Sequence, residues 1–194
     1  MEIKKVEKIV TDLLENRLSS DLYYHNLSHT KNVVSAALEL AASEGITEEE
    51  DLIYLSTAAW FHDVGYVVGY EHHERESSKL AREMLPHAGF SESQIDVVCK
   101  MIMKTHVPQE PESKLEKILC DADLDYLGRP DFPDLGLDLF REWQAKGRVT
   151  DRQEFNLLQI GFLQTHKYWT LTSQQLREPI KQQHLQGLKM LCEL

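Results

Sequence analysis

Three short stretches of this chain carry histidines and carboxylates at spacings that suit a divalent metal ion. The first is Trp60-Phe61-His62-Asp63-Val64-Gly65. It closes an Ala-rich helical pattern that begins near Thr47, and Gly65 suits a helix C-terminus. Side chains on successive helical residues diverge by about 100°, so His62 and Asp63 reach one ion only if it lies over the edge between them. A helix end permits that; the plain alternative is a capped terminus with His62 satisfying carbonyls. The second stretch, Tyr24-His25-Asn26-Leu27-Ser28-His29, sets two histidines four residues apart at the start of the preceding amphipathic helix, with Asn26 or Ser28 as its cap. Its alternative is a pair of polar residues at an exposed helix start. The third is Ile118-Leu119-Cys120-Asp121-Ala122-Asp123-Leu124-Asp125-Tyr126. Burying an unpaired carboxylate is costly, so acids beside an apolar stripe need cations or several donors. With Leu115, Ile118, Leu119, Ala122 and Tyr126 as the buried face, Asp123 lies nearer its middle than Asp121 or Asp125. Asp123 is therefore the candidate, and a solvated acidic edge is expected for at least one of the three. A dication among such groups polarises a phosphoryl oxygen and lowers the pKa of bound water.

The elements that must position these residues are helices. Apolar residues recur at helical spacing from Ile3, Val6, Ile9, Val10, Leu13 and Leu14 onward, and no stretch alternates as a strand. Breaks fall at residues 45–47, 65–69, 86–91, 108–113, 128–133 and 147–150, which gives eight or nine helices. Helix starts are expected at Thr47, at Ser91 and at Ser113, the last three residues before Glu116 in a capping-box pattern. Pro179 interrupts the final helical pattern, so that element kinks or starts afresh there. The fold class expected is all-α, a single-domain helical bundle over residues 1–194, with a motif core at 23–128 and C-terminal helices at 130–194.

At 194 residues with 42% hydrophobic side chains, the chain can close one complete core. A formal charge of −11 argues against a nonspecific grip on nucleic acid, whose affinity rests on cations that neutralise phosphates. A phosphate-bearing ligand must then be met by a local positive centre, and a bound metal supplies one. Cys99, Cys120 and Cys192 are odd in number and form no Cys-x-x-Cys pair, so neither a disulfide framework nor a zinc ribbon is suggested. The first residues are charged where a signal peptide needs an apolar run, and no apolar run approaches a membrane span. The expectation is a soluble, unprocessed cytoplasmic protein without a membrane partner.

In order and context these pieces resemble the HD-domain superfamily of metal-dependent phosphohydrolases, whose signature is a histidine, then His-Asp, then a distant aspartate on successive helices. Tyr24-His25-Asn26-Leu27-Ser28-His29 is similar to the Tyr-His-Asn-x-x-His opening of the cyclic nucleotide phosphodiesterase branch and of many bacterial members, and Ala122-Asp123-Leu124 to the Ala-Asp-Leu that carries the last ligand. The resemblance covers residues 23–128; Tyr66 stands where that branch has a further histidine. It implies a metal near the centre of the fold, with His29, His62, Asp63 and Asp123 as ligands and His25 as the proton donor to the leaving oxygen. Asp63 would bridge two metals or accept the water's proton.

Some members hold a second metal with two more histidines. His73 shares the inward stripe of Ser77, Leu80, Ala81 and Met84, while His106 follows Ile95, Val98, Cys99 and Ile102, so both are expected to point inward from helix ends. Core histidines bonded to carbonyls are the alternative. His72, His87, His166 and His184 are left as surface or structural residues. One or two ions are expected, of iron, manganese, nickel, cobalt or zinc. Lys104 and Arg75, with Arg129, lie close in sequence to these ligands and are candidates for holding phosphate charge, or equally solvated surface cations. The implied activity is hydrolysis of a small phosphate ester, a phosphodiester or phosphomonoester of a nucleotide or related molecule. The rivals are a di-iron oxygenase of the same superfamily and a non-catalytic metal-binding sensor. A homodimer is left open.

Overall fold

The computed structural model describes residues 1–193, and among these the secondary structure is ten α-helices and three single-turn 3-10 segments, with no strand. The described chain divides into two compact units. One is built from Met1–Ser19 and His25–Asp123, the other from Ser20–Tyr24 and from Leu124 onward. No helix among the described residues is long and apolar enough to cross a membrane.

The first unit holds α1 (Ile3–Arg17), α2 (Leu27–Ser43), α3 (Glu49–Phe61), α4 (His73–Met84), α5 (Glu92–Met103) and α6 (Lys114–Asp123). α3 is its axis, with every residue from Leu55 to Phe61 buried, which is why that stretch carries no charged face and only the small polar residues Ser56 and Thr57 among apolar ones. The other helices present one apolar face each to this axis: Val6 and Val10 from α1, Val33 and Ala37 from α2, Val98 and Ile102 from α5, Ile118 and Leu119 from α6.

Local chemistry fixes the helix starts. Asn26 caps α2, its Oδ1 accepting from the amides of Ser28 at 2.9 Å and His29 at 3.2 Å. Ser91 caps α5 in a reciprocal box with Gln94. At α6 the box joins Ser113 and Glu116: the Glu116 amide donates to Ser113 Oγ and the Ser113 amide to Glu116 Oε2. The expected start at Thr47 is corrected to Glu49. Glu49, Glu50 and Asp51 fill the first turn of α3, where acids oppose the helix dipole without a side-chain cap.

Gly65 is also corrected. α3 ends at Phe61, and Gly65 lies beyond it in the 3-10 turn Val64–Val67. A Cβ there would stand 2.0 Å from the His73 carbonyl oxygen and 2.7 Å from the Ser77 amide nitrogen. The residue is glycine because α4 packs directly against its backbone, and its amide donates to Ser77 Oγ at 2.8 Å.

The second unit holds α7 (Phe132–Ala145), α8 (Arg152–Thr165), α9 (Leu171–Leu176) and α10 (Glu178–Leu191) around Tyr126, Leu127, Phe132, Leu139, Phe155 and Leu163. Ser20–Tyr24 is tied into it by the Tyr24 amide, which donates to the buried Glu142 at 2.9 Å, and by Lys146 on Asp21 at 2.8 Å. Pro179 sits in the first turn of α10, which starts afresh after α9.

Candidate metal centre

Three helix ends in the first unit bring the first group of side chains together. The Asn26 cap sets the opening of α2 and so directs His29 inward. His62 follows the last residue of α3 in helical conformation, while Asp63 has already left the helix (φ −111°, ψ 2°). That departure is what lets two successive residues face one point. Asp123 closes α6.

His29 Nε2 and His62 Nε2 are 3.3 Å apart. Asp63 Oδ2 lies 3.4 Å from His29 Nε2 and 3.2 Å from His62 Nε2. Asp123 Oδ1 lies 3.4 Å from both nitrogens. His29, His62 and Asp123 offer ligand atoms that all stand within 4.8 Å of one another. Ligand atoms ~2.1 Å from a common ion stand roughly 3.0–3.4 Å apart at angles between 90° and tetrahedral, so these spacings are those of a coordination shell.

The proton arrangement gives an independent test of the fit. His62 Nδ1 is 2.7 Å from the Ala59 carbonyl, which can only accept, so this nitrogen carries the proton. In the neutral ring the lone pair is then on Nε2, aimed at His29 Nε2. Asp63 Oδ2 is buried with no hydrogen-bond partner among the described residues, although both imidazoles are within ion-pair distance of it. An orphaned carboxylate oxygen beside two imidazole nitrogens is costly unless a cation sits among them. The residues fit a divalent ion, and two imidazoles with two carboxylates suit a transition metal better than an all-oxygen calcium site.

The electrostatics agree. Burial works against a charged imidazole at His62, but the carboxylates of Asp63 and Asp123 outweigh it and hold the pKa well above 6.5. Burial likewise opposes charge on His29, and Asp123 and Asp63 still raise it. Burial alone would raise the pKa of Asp63, whereas the neighbouring His62, His29 and His73 drive it well below the ordinary value. Asp123, partly buried and in contact with His29 and His62, falls to about 2. The group therefore stays anionic at its carboxylates and draws positive charge toward its centre.

A second group meets the other oxygen of Asp63. His73 Nε2 is 3.3 Å from Asp63 Oδ1 and 3.5 Å from Glu74 Oε1, and His106 Nδ1 is 3.0 Å from the same Glu74 oxygen. Burial disfavours a charged His73, but Asp63 prevails and raises its pKa. The expectation that His106 points inward is corrected: α5 stops at Met103, so the helical register no longer applies, and the His106 side chain is 61% exposed. It reaches the group only through Glu74. Glu74 itself, with a side chain only 9% exposed, was missed in the sequence. Its one signal was its place beside His73 at a helix start, where an acid ordinarily answers the helix dipole.

The remaining candidates fall outside this shell. His25, one turn before His29, has its ring centroid 5.8 Å from that of His29 and stacks on Tyr66. Lys104 Nζ is turned to Glu112 at 2.9 Å. Arg75 is exposed on α4. In the second unit, Arg129 Nε holds Asp131 at 2.9 Å. The expected solvated edge among the aspartates is corrected as well. Asp121 is fully buried, and Asp125, also buried, accepts from Arg177 Nε at 2.6 Å, which supplies the countercharge its burial requires.

The HD-domain family model matches residues 26–125. Three solved structures share the fold. A predicted HD superfamily hydrolase from an uncultured Thermotogales bacterium has 24% identity and a TM-score of 0.62 over 97% of this chain and 90% of its own. Bacillus subtilis YpgQ, solved in complex with ADP, has 20% identity and a TM-score of 0.65 over 97% of both chains. The Lin1889 protein of Listeria innocua has 19% identity and a TM-score of 0.62 over 97% of this chain and 96% of its own. No curated protein matches the chain by sequence. With its His62-Asp63 pair inside a match that covers more than half of its length, the chain belongs to the HD-domain family.

Proposed function

We propose that this protein is a metal-dependent phosphohydrolase in which His29, His62, Asp63 and Asp123 hold one divalent transition metal and Asp63 and His73, with Glu74, hold a second, which His106 meets only through Glu74. The observation that carries the reading is the orphaned Asp63 Oδ2, 3.4 Å and 3.2 Å from the two imidazole nitrogens that also meet Asp123. A metal in that shell supplies Lewis acidity toward a phosphoryl oxygen and water acidic enough to ionise near neutral pH. Asp63 presents Oδ2 to one group and Oδ1 to the other, so a single carboxylate serves both. His25 stands beside the first group with a ring that can carry a proton to a departing ester oxygen. The substrate class is a small phosphate ester of the nucleotide kind; the ADP bound by YpgQ, which shares the fold, supports testing nucleotides first. The free thiols Cys99, Cys120 and Cys192 fit a reducing cytoplasm.

The test is a panel of phosphomonoesters and phosphodiesters, nucleotides included, assayed with manganese, iron, nickel, cobalt and zinc, alongside Asp63→Ala. Phosphate or nucleotide release that vanishes with the substitution, together with at least about a 100-fold loss of metal affinity, is expected. Turnover and metal content that survive it would refute the site. The Asp63-bridged second group also favours one rival, oxygen chemistry at a di-iron pair. Oxygen uptake by anaerobically purified, iron-loaded protein, with no phosphate release across the panel, would select it.

A further inference from the structure

The two groups around Asp63 are aimed by different means. His62 is aimed by a hydrogen bond from its Nδ1 to the Ala59 carbonyl. His73 lies flat on an aromatic ring: its centroid is 4.1 Å from that of Tyr66, with 13° between the planes. The same phenol ring stacks on His25 at 4.5 Å and 29°. The two imidazoles stand 6.3 Å apart, so the three rings form one tight cluster with Tyr66 common to both contacts. Tyr70 adds a further ring 5.2 Å from Tyr66 and 6.4 Å, edge to face, from His25.

Tyr66 is well placed to act as a fixed plate. It is buried, and it follows Gly65, whose backbone is pressed against the first turn of α4 and bonded to Ser77. The plate and His73 are therefore held by the same backbone contact. A stacked imidazole can slide on the ring face but cannot swing its plane without pushing the phenol aside, and offset stacking of aromatic rings favours the parallel arrangement. For His73 this fixes the direction of Nε2, the atom 3.3 Å from Asp63 Oδ1. For His25 it fixes the plane in which a ring N–H can be offered.

We propose that Tyr66 is a positioning residue, its ring serving as the shared stacking face that sets the planes of His25 and His73 and so aims both toward the space beside Asp63. The consequence for reaction rests on reading His25 as proton donor and His73 as a second-metal ligand; the ring geometry does not.

The experiment compares Tyr66→Phe, which keeps the ring, with Tyr66→Leu, which removes it, in the full-length protein. If circular dichroism shows the leucine variant unfolded, Tyr66→Met takes its place. In metal-free protein, the carbon-bound ring protons of His25 and His73, assigned with His25→Ala and His73→Ala, carry upfield ring-current shifts. These are expected to collapse in Tyr66→Leu and persist in Tyr66→Phe. In metal-loaded protein, Tyr66→Leu should bind less of the second metal while the first stays. Its kcat should fall about 10²-fold, the cost of a misplacement near 1 Å, with KM little changed. Tyr66→Phe should restore both. Unmoved imidazole shifts in a folded Tyr66→Leu protein would overturn the positioning role. Unchanged turnover in His25→Ala and His73→Ala would instead overturn the functional reading, and the ring-current result would still decide the role of Tyr66 by itself.

Discussion

Alanine at position 65 would place a methyl carbon 2.0 Å from the carbonyl oxygen of His73 and 2.7 Å from the amide nitrogen of Ser77. Both neighbours are backbone, so no side chain can turn aside. Ordinary contact begins near 3.4 Å, so the first turn of α4 must retreat by about 1.4 Å from the carbonyl alone. Overpacking of this kind costs about 1–3 kcal/mol. The bond from the Gly65 amide to Ser77 Oγ is strained in the same movement and adds roughly 1 kcal/mol. A total of about 2–4 kcal/mol corresponds to a drop in Tm of roughly 4–16 °C for a chain of this size. The displacement also carries His73 and Glu74 away from Asp63, whereas His29, His62 and Asp123 come from α2, α3 and α6. Calorimetry and metal stoichiometry on Gly65→Ala should therefore show lower stability and loss of the second metal with the first retained. Unchanged Tm and two bound metals would refute the close-approach account of Gly65.

Two further expectations follow from groups with displaced pKa values. In metal-free protein, His29 and His62 titrate above 6.5, so their stabilising effect is complete below that pH and is lost as pH rises through their folded values. Asp63 and Asp123 titrate below 3.8, Asp123 at about 2, so theirs is complete above 3.8 and lost as pH falls. Urea midpoints of metal-free protein should peak between these limits and decline on the alkaline side, and added metal should abolish the alkaline decline; a profile flat from pH 5 to 9 would contradict the assignment. Glu116 accepts from the amides of Glu112 at 2.7 Å and Ser113 at 2.9 Å. Glu116→Ala should cost about 1–3 kcal/mol in chemical denaturation, and Glu116→Gln, which keeps an acceptor, distinctly less. Equal losses in the two would rule out the cap.

What the sequence made legible was local. Asn26, the Ser91 and Ser113 caps and the fresh start at Pro179 each rest on one side chain meeting backbone a few residues away. The all-helical fold followed from the apolar period. His29, His62, Asp63 and Asp123 could be assembled because each lies at a helix end that its own residues define. What escaped depends on distant chain. Glu74 looks like an ordinary acid at a helix start until α4 is laid against the end of α5, where His106 waits. His106 was given an inward direction by extending the register of α5 past Met103, where the helix has already stopped. Gly65 looked like a helix stop because the backbone it touches lies at His73 and Ser77. A solvated edge was expected for at least one of the three aspartates because Arg177, the countercharge of Asp125, is 52 residues away.

The short excursion of Ser20–Tyr24 has a consequence for anyone who would take this protein apart. The main chain passes from one unit to the other after Ser19, returns after Tyr24 and leaves again after Asp123. No single cut separates the two. A fragment ended at Asp123 keeps every proposed ligand, yet it also keeps the Tyr24 amide, whose acceptor Glu142 has gone with the discarded part. Recombining this scaffold with a relative would therefore require exchanging the five residues between Ser19 and His25 together with everything after Asp123, as one discontinuous module.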